Sequence, residues 1–190
     1  MTKYSIMKFL LSLFSFLTIC NISLSQEEIY QEIIQLVNFV RQEPQRFLEE
    51  VALPYIEENE LENSIYSKSL IRALRSQRVL PALNKNENLT KMALDYALEA
   101  GKRGWTDHIR TEARFKKHAP EIDITGENLQ FGSMGAEAVV MDLLIDQDVR
   151  NLGHRKNILN IDFTEIGVAF DKHKTYETIG VMVFGGFDKE

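Results

Sequence analysis

The side chains best suited to chemistry in this sequence are its histidines, because an imidazole changes charge near neutral pH. The four histidines are His108, His118, His154 and His173. His173 falls in a polar turn and His118 lies among lysines, so both are interpreted as solvated loop residues. His108 and His154 are therefore the stronger candidates for acid–base or ligand work.

The stretch NLGHRKNILN places His154 in an unusual setting, with a glycine before it and a basic pair after it. We expect Gly153 to let the backbone deliver His154 into a cleft. Asn157 and Asn160 are predicted to satisfy backbone groups of the loop before a strand begins at Phe163.

Glu127 is the most conspicuous carboxylate, because the segment around it, DITGENLQFG, is otherwise apolar and strand-like. A carboxylate there must be paired or placed at a cleft to avoid a desolvation cost. A structural hydrogen bond and a functional role both remain open. Ser133 and Thr125 lie nearby in sequence, but nothing marks either as an activated nucleophile, and no HExxH, GxSxG, phosphate-loop or dinucleotide motif is present.

Residues 1–25 are predicted to be a signal peptide, because a basic start, MTKYSIMK, precedes the apolar run FLLSLFSFLTIC. The apolar run is shorter than the ~20 residues of a membrane span, which makes a membrane anchor the weaker interpretation. Cleavage before Gln26 removes Cys20, the single cysteine. The remaining residues 26–190 are expected to form one secreted, extracellular domain without disulfides or thiol chemistry.

The charge balance argues against nucleic acid as a partner. The chain carries 28 acidic and 22 basic residues, a net charge of −6. Binding to phosphates needs clustered lysine and arginine, and Arg155 with Lys156 is too small a cluster.

Apolar periodicity predicts several helices. Spacings of three and four predict a helix from Glu27 and, after a break at Pro44, a short one that ends before Pro54. Another is predicted from Leu70. A long helix is expected from an N-cap at Asn88 to Gly101, and one more over AEAVVMDLLID.

Residues 101–135 are predicted to be loop and short extended pieces, and the C-terminal segments to be strands. Alternating apolar residues around Val168 and Val181, separated by the polar DKHKT, predict a hairpin at the edge of a sheet. This order of elements favours an α+β fold, a three-layer α-β-α sandwich with helices on a mainly antiparallel sheet.

The ordered series TGENLQFG, AVVMDLLIDQDVRNLGHRKNILN and DFTEIGVAF resembles the CAP superfamily of cysteine-rich secretory, antigen-five and pathogenesis-related proteins (SCP domains). It is most similar to the cysteine-poor, bacterial-type branch, and the resemblance extends from about Ile29 onward. It implies the same three-layer sandwich, with two histidines and two acids in a central cleft.

The resemblance implies which residues occupy that cleft. Glu127 matches the family's GEN segment, His154 its GHR motif, and His108 in WTDH its first histidine. The fourth member is assigned to Asp146, with Asp148 as the alternative.

Two imidazoles and two carboxylates around one cavity can hold a divalent ion weakly, such as zinc, with His108 and His154 as ligands. The leading hypothesis is a non-enzymatic binding module. The resemblance further implies a sterol or fatty-acid ligand in apolar grooves and an extracellular protein or peptide partner. The alternatives are a hydrolase that acts through water held by the same cluster, and a structural role in which the cluster is a buried hydrogen-bond network.

Overall fold

The computed structural model describes residues 26–132 and 135–188. The predicted signal peptide and Ser133 lie outside the described residues. Helix α1 covers residues 26–42 and buries the face predicted from the sequence, including Ile33, Val37 and Val40. None of the helices in the described part combines the length and apolar composition needed to cross a membrane.

The helical chain does not end before Pro54, and that prediction was wrong. Helix α2 (Pro44–Phe47) continues into a π-helical turn (Leu48–Ala52) and helix α3 (Leu53–Glu58). The π-helical turn places Pro54 in the first turn of a new α-helical segment. A proline is tolerated there because its missing N–H has no helical partner to lose.

Two helices have other ends than the sequence predicted. Helix α4 (Ile65–Ser76) begins earlier than Leu70, because the Ser64 side chain caps it. Helix α5 (Glu87–Arg103) is capped by Asn86 rather than Asn88. It runs through Gly101 and ends at Gly104, whose φ of 75° suits glycine.

Helix α6 (Thr111–His118) was missed, because Phe115 is its only fully buried side chain and apolar periodicity is therefore absent. His118 ends this helix with its side chain only 8% exposed, near Asp95 at 3.4 Å. Burial lowers the pKa of His118. His118 is thus not a solvated loop residue.

The four strands form one sheet in the order β1-β3-β4-β2. They are β1 (Asn84–Lys85), β2 (Ile124–Phe131), β3 (Glu165–His173) and β4 (Glu177–Gly186). β1 pairs with β3 in parallel and the other pairs are antiparallel, as expected. The β3–β4 hairpin is central rather than at the edge, which its unbroken burial from Thr178 to Gly186 reflects.

His173, at the end of β3, is buried as well. Its Nε2 lies 3.1 Å from the carbonyl of Trp105, and its Nδ1 accepts the N–H groups of Thr175 and Tyr176 at 3.2 Å each. The polar turn therefore folds back over His173 instead of exposing it.

Helices cover both faces of the sheet and complete the three-layer α-β-α sandwich. Helix α5 packs directly on β3, where Gly167 faces the backbone of Leu89 and Thr90. On the opposite face, Tyr30 of α1 hydrogen-bonds through its hydroxyl to the backbone of Phe170. The remaining helices, α7 (Ala136–Ile145) and α8 (Gly153–Ile158), contact β2.

Gly167→Ala is predicted to destabilise the fold. A Cβ at this position would lie 2.2 Å from backbone atoms of Leu89 and Thr90, so α5 must move away from the sheet. We expect a loss of about 1–3 kcal/mol in the free energy of unfolding, measured by urea denaturation. Gly135→Ala is the matched control, since a Cβ there meets no atom within 4 Å. Equal stability of the two variants would contradict the close packing.

Candidate functional site

The first part of the candidate site is a buried carboxylate on β2. The side chain of Glu127 is 1% exposed, and its Oε1 lies 2.9 Å from Nδ1 of His108. The guanidinium of Arg114 donates to both oxygens, at 2.5 Å to Oε2 and 2.9 Å to Oε1. This bidentate pair gives the buried charge the compensation that it requires.

Helix α6 supplies the residues that hold this pair. The Thr111 hydroxyl donates to the carbonyl of His108 at 3.0 Å and accepts from Arg114 at 3.0 Å. The Arg114 guanidinium also lies 3.8 Å from the ring centre of Tyr96 in α5, a cation–π contact. The Tyr96 hydroxyl in turn donates to the carbonyl of Asp107. The loop that carries His108 is therefore tied to both α5 and α6.

Opposing effects set the pKa of Glu127. Burial alone would raise it, but the hydrogen bonds from His108 and Arg114 outweigh burial, and the pKa is lowered from its usual value of 4.5. Glu127 is therefore ionised at neutral pH and accepts a hydrogen bond from the Nδ1–H group of His108. That tautomer leaves the Nε2 lone pair of a neutral His108 open, on a side chain that is 50% exposed.

The second part of the site pairs Asp146 with His154. Asp146 Oδ1 lies 2.7 Å from Nδ1 of His154, and its Oδ2 accepts the backbone N–H groups of His154 at 3.0 Å and Arg155 at 3.3 Å. Asp146 reaches this position in a left-handed conformation, with φ of 59°, just after α7. The carboxylate thus caps the first turn of α8 and orients its histidine. Asp148 is exposed and makes no such contact.

Arg155 fixes α8 in place. Its side chain is buried and donates to the carbonyls of Leu144 at 2.5 Å and Ile145 at 2.9 Å, at the C-terminal end of α7. It also reaches the carbonyl of Tyr66 at 3.2 Å and the hydroxyl of Ser69 at 3.0 Å in α4. A guanidinium at the C-terminal end of a helix donates hydrogen bonds to carbonyls that lack helical partners, and its positive charge interacts favourably with the helix dipole. The sequence had suggested only a basic pair here.

A pair of asparagines connects the two carboxylate–histidine pairs. Asn128 follows Glu127 in β2 and donates to the backbone carbonyl of His154 at 3.0 Å. Asn157 of α8 donates to Asn128 Oδ1 at 2.8 Å and to the carbonyl of Glu127 at 3.3 Å. The asparagines therefore tie the start of α8, which carries His154, to the part of edge strand β2 that carries Glu127.

Gly153 does not act as the sequence predicted. Its φ is not positive, and the left-handed conformation before α8 belongs to Leu152, with φ of 52°.

Sequence reasoning also missed Arg114, because nothing in TEARF distinguishes it from a surface arginine.

The arrangement presents two imidazoles, each held at Nδ1 by a buried carboxylate. This is the outer-shell pattern that raises the basicity of histidine ligands in metal sites. Both oxygens of Glu127 are already engaged, so the donors open to an ion are the two Nε2 atoms. Across residues 26–132 and 135–188, no group of three or more His, Cys, Asp and Glu side chains is arranged to hold a metal ion. The protein donors open to an ion are therefore at most two histidine nitrogens, and water would have to complete any coordination sphere.

Comparison with known proteins places these residues in a wider group. A family model described as CAP, the cysteine-rich secretory protein family, matches residues 68–184, which is more than half of the chain. A comparison of the chain with curated proteins found no match.

Solved structures with a similar fold come from several organisms. An outer surface protein from Borrelia burgdorferi is 25% identical, with a TM-score of 0.50 over 65% of this chain and 90% of its own. An extracellular protein containing an SCP domain from Bacillus anthracis is 22% identical, with a TM-score of 0.48 over 67% of this chain and 42% of its own. Venom allergen-like protein 4 from Schistosoma mansoni is 15% identical, with a TM-score of 0.44 over 86% of this chain and 89% of its own.

Glu127→Gln is predicted to destabilise the fold in a pH-dependent way. At neutral pH the variant leaves Arg114 without its carboxylate, so we expect a loss of about 3 kcal/mol in the free energy of unfolding. The pKa of Glu127 is depressed in the folded state, so its contribution is present above pH 4.5 and is lost as the pH falls through the lower folded value. Urea denaturation over a pH series should show the wild type and the variant converging in acid.

The exposed carboxylate Glu112, which pairs with Lys116, provides the control. Glu112→Gln should leave stability nearly unchanged at every pH. A gap between Glu127→Gln and wild type that stayed constant far below pH 4.5 would rule out Glu127 as the titrating group.

Proposed function

We propose a function for this chain, which belongs to the CAP family of cysteine-rich secretory proteins. It is a secreted binding module, and its two histidines, each oriented by a carboxylate, bind a divalent metal ion. The observation that carries the proposal is the matched pairing of His108 with Glu127 at 2.9 Å and of His154 with Asp146 at 2.7 Å. Each pairing directs one ring nitrogen inward and leaves the other open. Zinc is the first candidate, since imidazole is among its preferred ligands.

Secretion is supported by the predicted leader and by family membership. The structural relative from Borrelia burgdorferi is described as an outer surface protein. An extracellular module meets zinc without the competition of intracellular thiols, and the chain from Gln26 onward has no cysteine to bind it otherwise.

The proposal favours binding over catalysis. The hydroxyl of Thr111 lies 3.4 Å from Oε1 of Glu127, but its shorter hydrogen bond is to the carbonyl of His108 at 3.0 Å, and the Glu127 carboxylate is engaged by Arg114. The Thr111 hydroxyl is therefore a weak candidate for a nucleophile. A hydrolase that uses water held by the same histidines stays an alternative prediction. Its mark would be a substrate whose hydrolysis is abolished by His154→Ala.

An apolar cavity offers a second ligand site at the N-terminal end of α1. It has a volume of about 180 Å³ and is lined by Ile29, Tyr30 and Phe170, together with the charged residues Asp171 and Lys172. Ligand pockets usually start at ~300 Å³, so this cavity suits the end of an acyl chain better than a whole sterol. The ammonium of Lys172 can pair with a fatty-acid carboxylate.

Zinc binding is predicted to need both histidines. Isothermal titration with zinc should show one ion per chain, and His108→Ala and His154→Ala should each weaken binding at least tenfold, since either change removes one of two protein ligands. Asp146→Asn should weaken it by ~10–100-fold through the lost orientation of His154. His118→Ala is the control. Zinc affinity unchanged in either alanine variant would exclude a shared ion.

Fatty-acid binding is predicted to depend on Ile29. A carboxylate introduced by Ile29→Asp would be desolvated beside the bound chain and would repel its head group, so displacement of a fluorescent fatty acid should weaken at least tenfold. Leu98→Asp, at a half-exposed position on the outer side of α5, should have no effect. Equal binding by both variants would place the ligand elsewhere or nowhere on this chain.

A further inference from the structure

A groove with exposed apolar and cationic side chains is lined by none of the residues of the histidine pairs. One wall is formed by residues 76–80, from the last residue of α4 onward, and the other by Lys156 and residues 159–161 at the end of α8. The groove has a volume of about 840 Å³. This volume can hold several residues of an extended peptide and is far larger than a site for a single ion.

The apolar part of the groove is open to solvent. Val79 is 70% exposed and Ile161 is 51% exposed, and both line the groove, as does Leu159. Neither exposed side chain belongs to the buried core. Contiguous exposed apolar residues with a polar rim are typical of an interaction site.

The charges of the groove are of one sign. Arg78 and Lys156 line it and are exposed, and neither makes an ion pair with any described residue. No carboxylate is among the described lining residues, and Asp162 follows Ile161 outside the lining. Residues 63–86 contain five basic and no acidic residues, in a chain whose net charge is −6. The groove is thus a local positive site in an acidic protein, and such a site attracts an acidic partner.

Both walls are held in place by one buried arginine. Arg41 is fully buried and donates to the carbonyls of Pro81 at 2.9 Å, Ile158 at 2.9 Å and Asn160 at 2.7 Å. The carbonyl of Arg41 accepts the N–H of Leu80 at 2.8 Å. A groove whose walls are joined beneath its floor keeps its shape before a ligand arrives, so binding costs little ordering entropy.

The backbone of the first wall is also available. Val79 lies outside helices and strands, and its N–H and C=O have no hydrogen-bond partner among residues 26–132 and 135–188. An extended peptide can pair with these groups through its own backbone, as in strand addition. A lipid surface offers no such donor and acceptor pair.

We propose that this groove binds an extended acidic peptide segment with aliphatic side chains. Its carboxylates pair with Arg78 and Lys156, its aliphatic side chains cover Val79 and Ile161, and its backbone hydrogen-bonds to Val79. This binding is independent of the histidine pairs and of the metal proposed for them.

The test uses a short fluorescein-labelled peptide in which glutamate and valine alternate, titrated with the purified chain and followed by fluorescence anisotropy. Two variants probe the groove: Arg78→Glu with Lys156→Glu, and Val79→Ser with Ile161→Ser. We expect each pair to weaken binding at least tenfold, and the affinity of the wild type to fall as salt is raised. All four side chains are exposed or at the groove surface, so circular dichroism should show unchanged folding.

The controls separate charge, apolar contact and lipid. The double variant Lys102→Glu with Lys174→Glu makes the same change of charge at two exposed positions elsewhere, and it should bind as wild type does. A lysine–valine peptide and a glutamate–serine peptide should bind at least tenfold more weakly. Binding that weakens equally in the control variant would reduce the effect to net charge and overturn the proposal. So would binding to phosphatidylglycerol vesicles that is lost in the groove variants while the acidic peptide does not bind.

Discussion

The candidate site depends on the need to compensate two carboxylates that are removed from water. Glu127 and Asp146 have side chains that are at most 1% exposed. An unpaired buried carboxylate would cost several kcal/mol of folding free energy, so the loss of any contact that compensates Glu127 or Asp146 would destabilise the fold. Arg114 and His108 converge on Glu127, whereas two backbone N–H groups and a histidine converge on Asp146. The orientation of both imidazoles follows from this requirement.

Two buried arginines extend the same principle to the backbone. Neither Arg41 nor Arg155 forms an ion pair with a described residue, and both bond chiefly to main-chain carbonyls. Burial lowers the pKa of Arg41 to about 10, which still leaves it charged at neutral pH. Carbonyls at helix ends and in loops lack partners of their own, and a guanidinium with five donors can serve several of them. Helix α8 is only six residues long and could not persist alone, so these contacts determine where His154 lies.

The two proposed binding regions share this framework but differ in character. The histidine pairs are polar, and each leaves one ring nitrogen open. The groove above Arg41 is lined by apolar residues and by two cationic side chains. It offers a contact surface for a peptide rather than ligand atoms for a metal ion. Both regions meet at α8, since His154 lies near its start and Lys156 two residues later. Anchoring of α8 by Arg155 therefore serves both.

The sequence by itself determined the periodic elements, the class of fold and the residues worth examining. Apolar spacing is a local property, and it revealed the buried face of α1, the long helix around Met92 and the alternation of β3 and β4. The ordered GEN and GHR segments led to the family and to His108, Glu127, Asp146 and His154 as site candidates. The tertiary structure alone decided what those residues contact: Arg114 on Glu127, Asp146 at the start of α8, and the burial of His118 and His173. The physical reason is that compensation of a buried charge depends on which distant side chains reach it, and no local pattern encodes that distance.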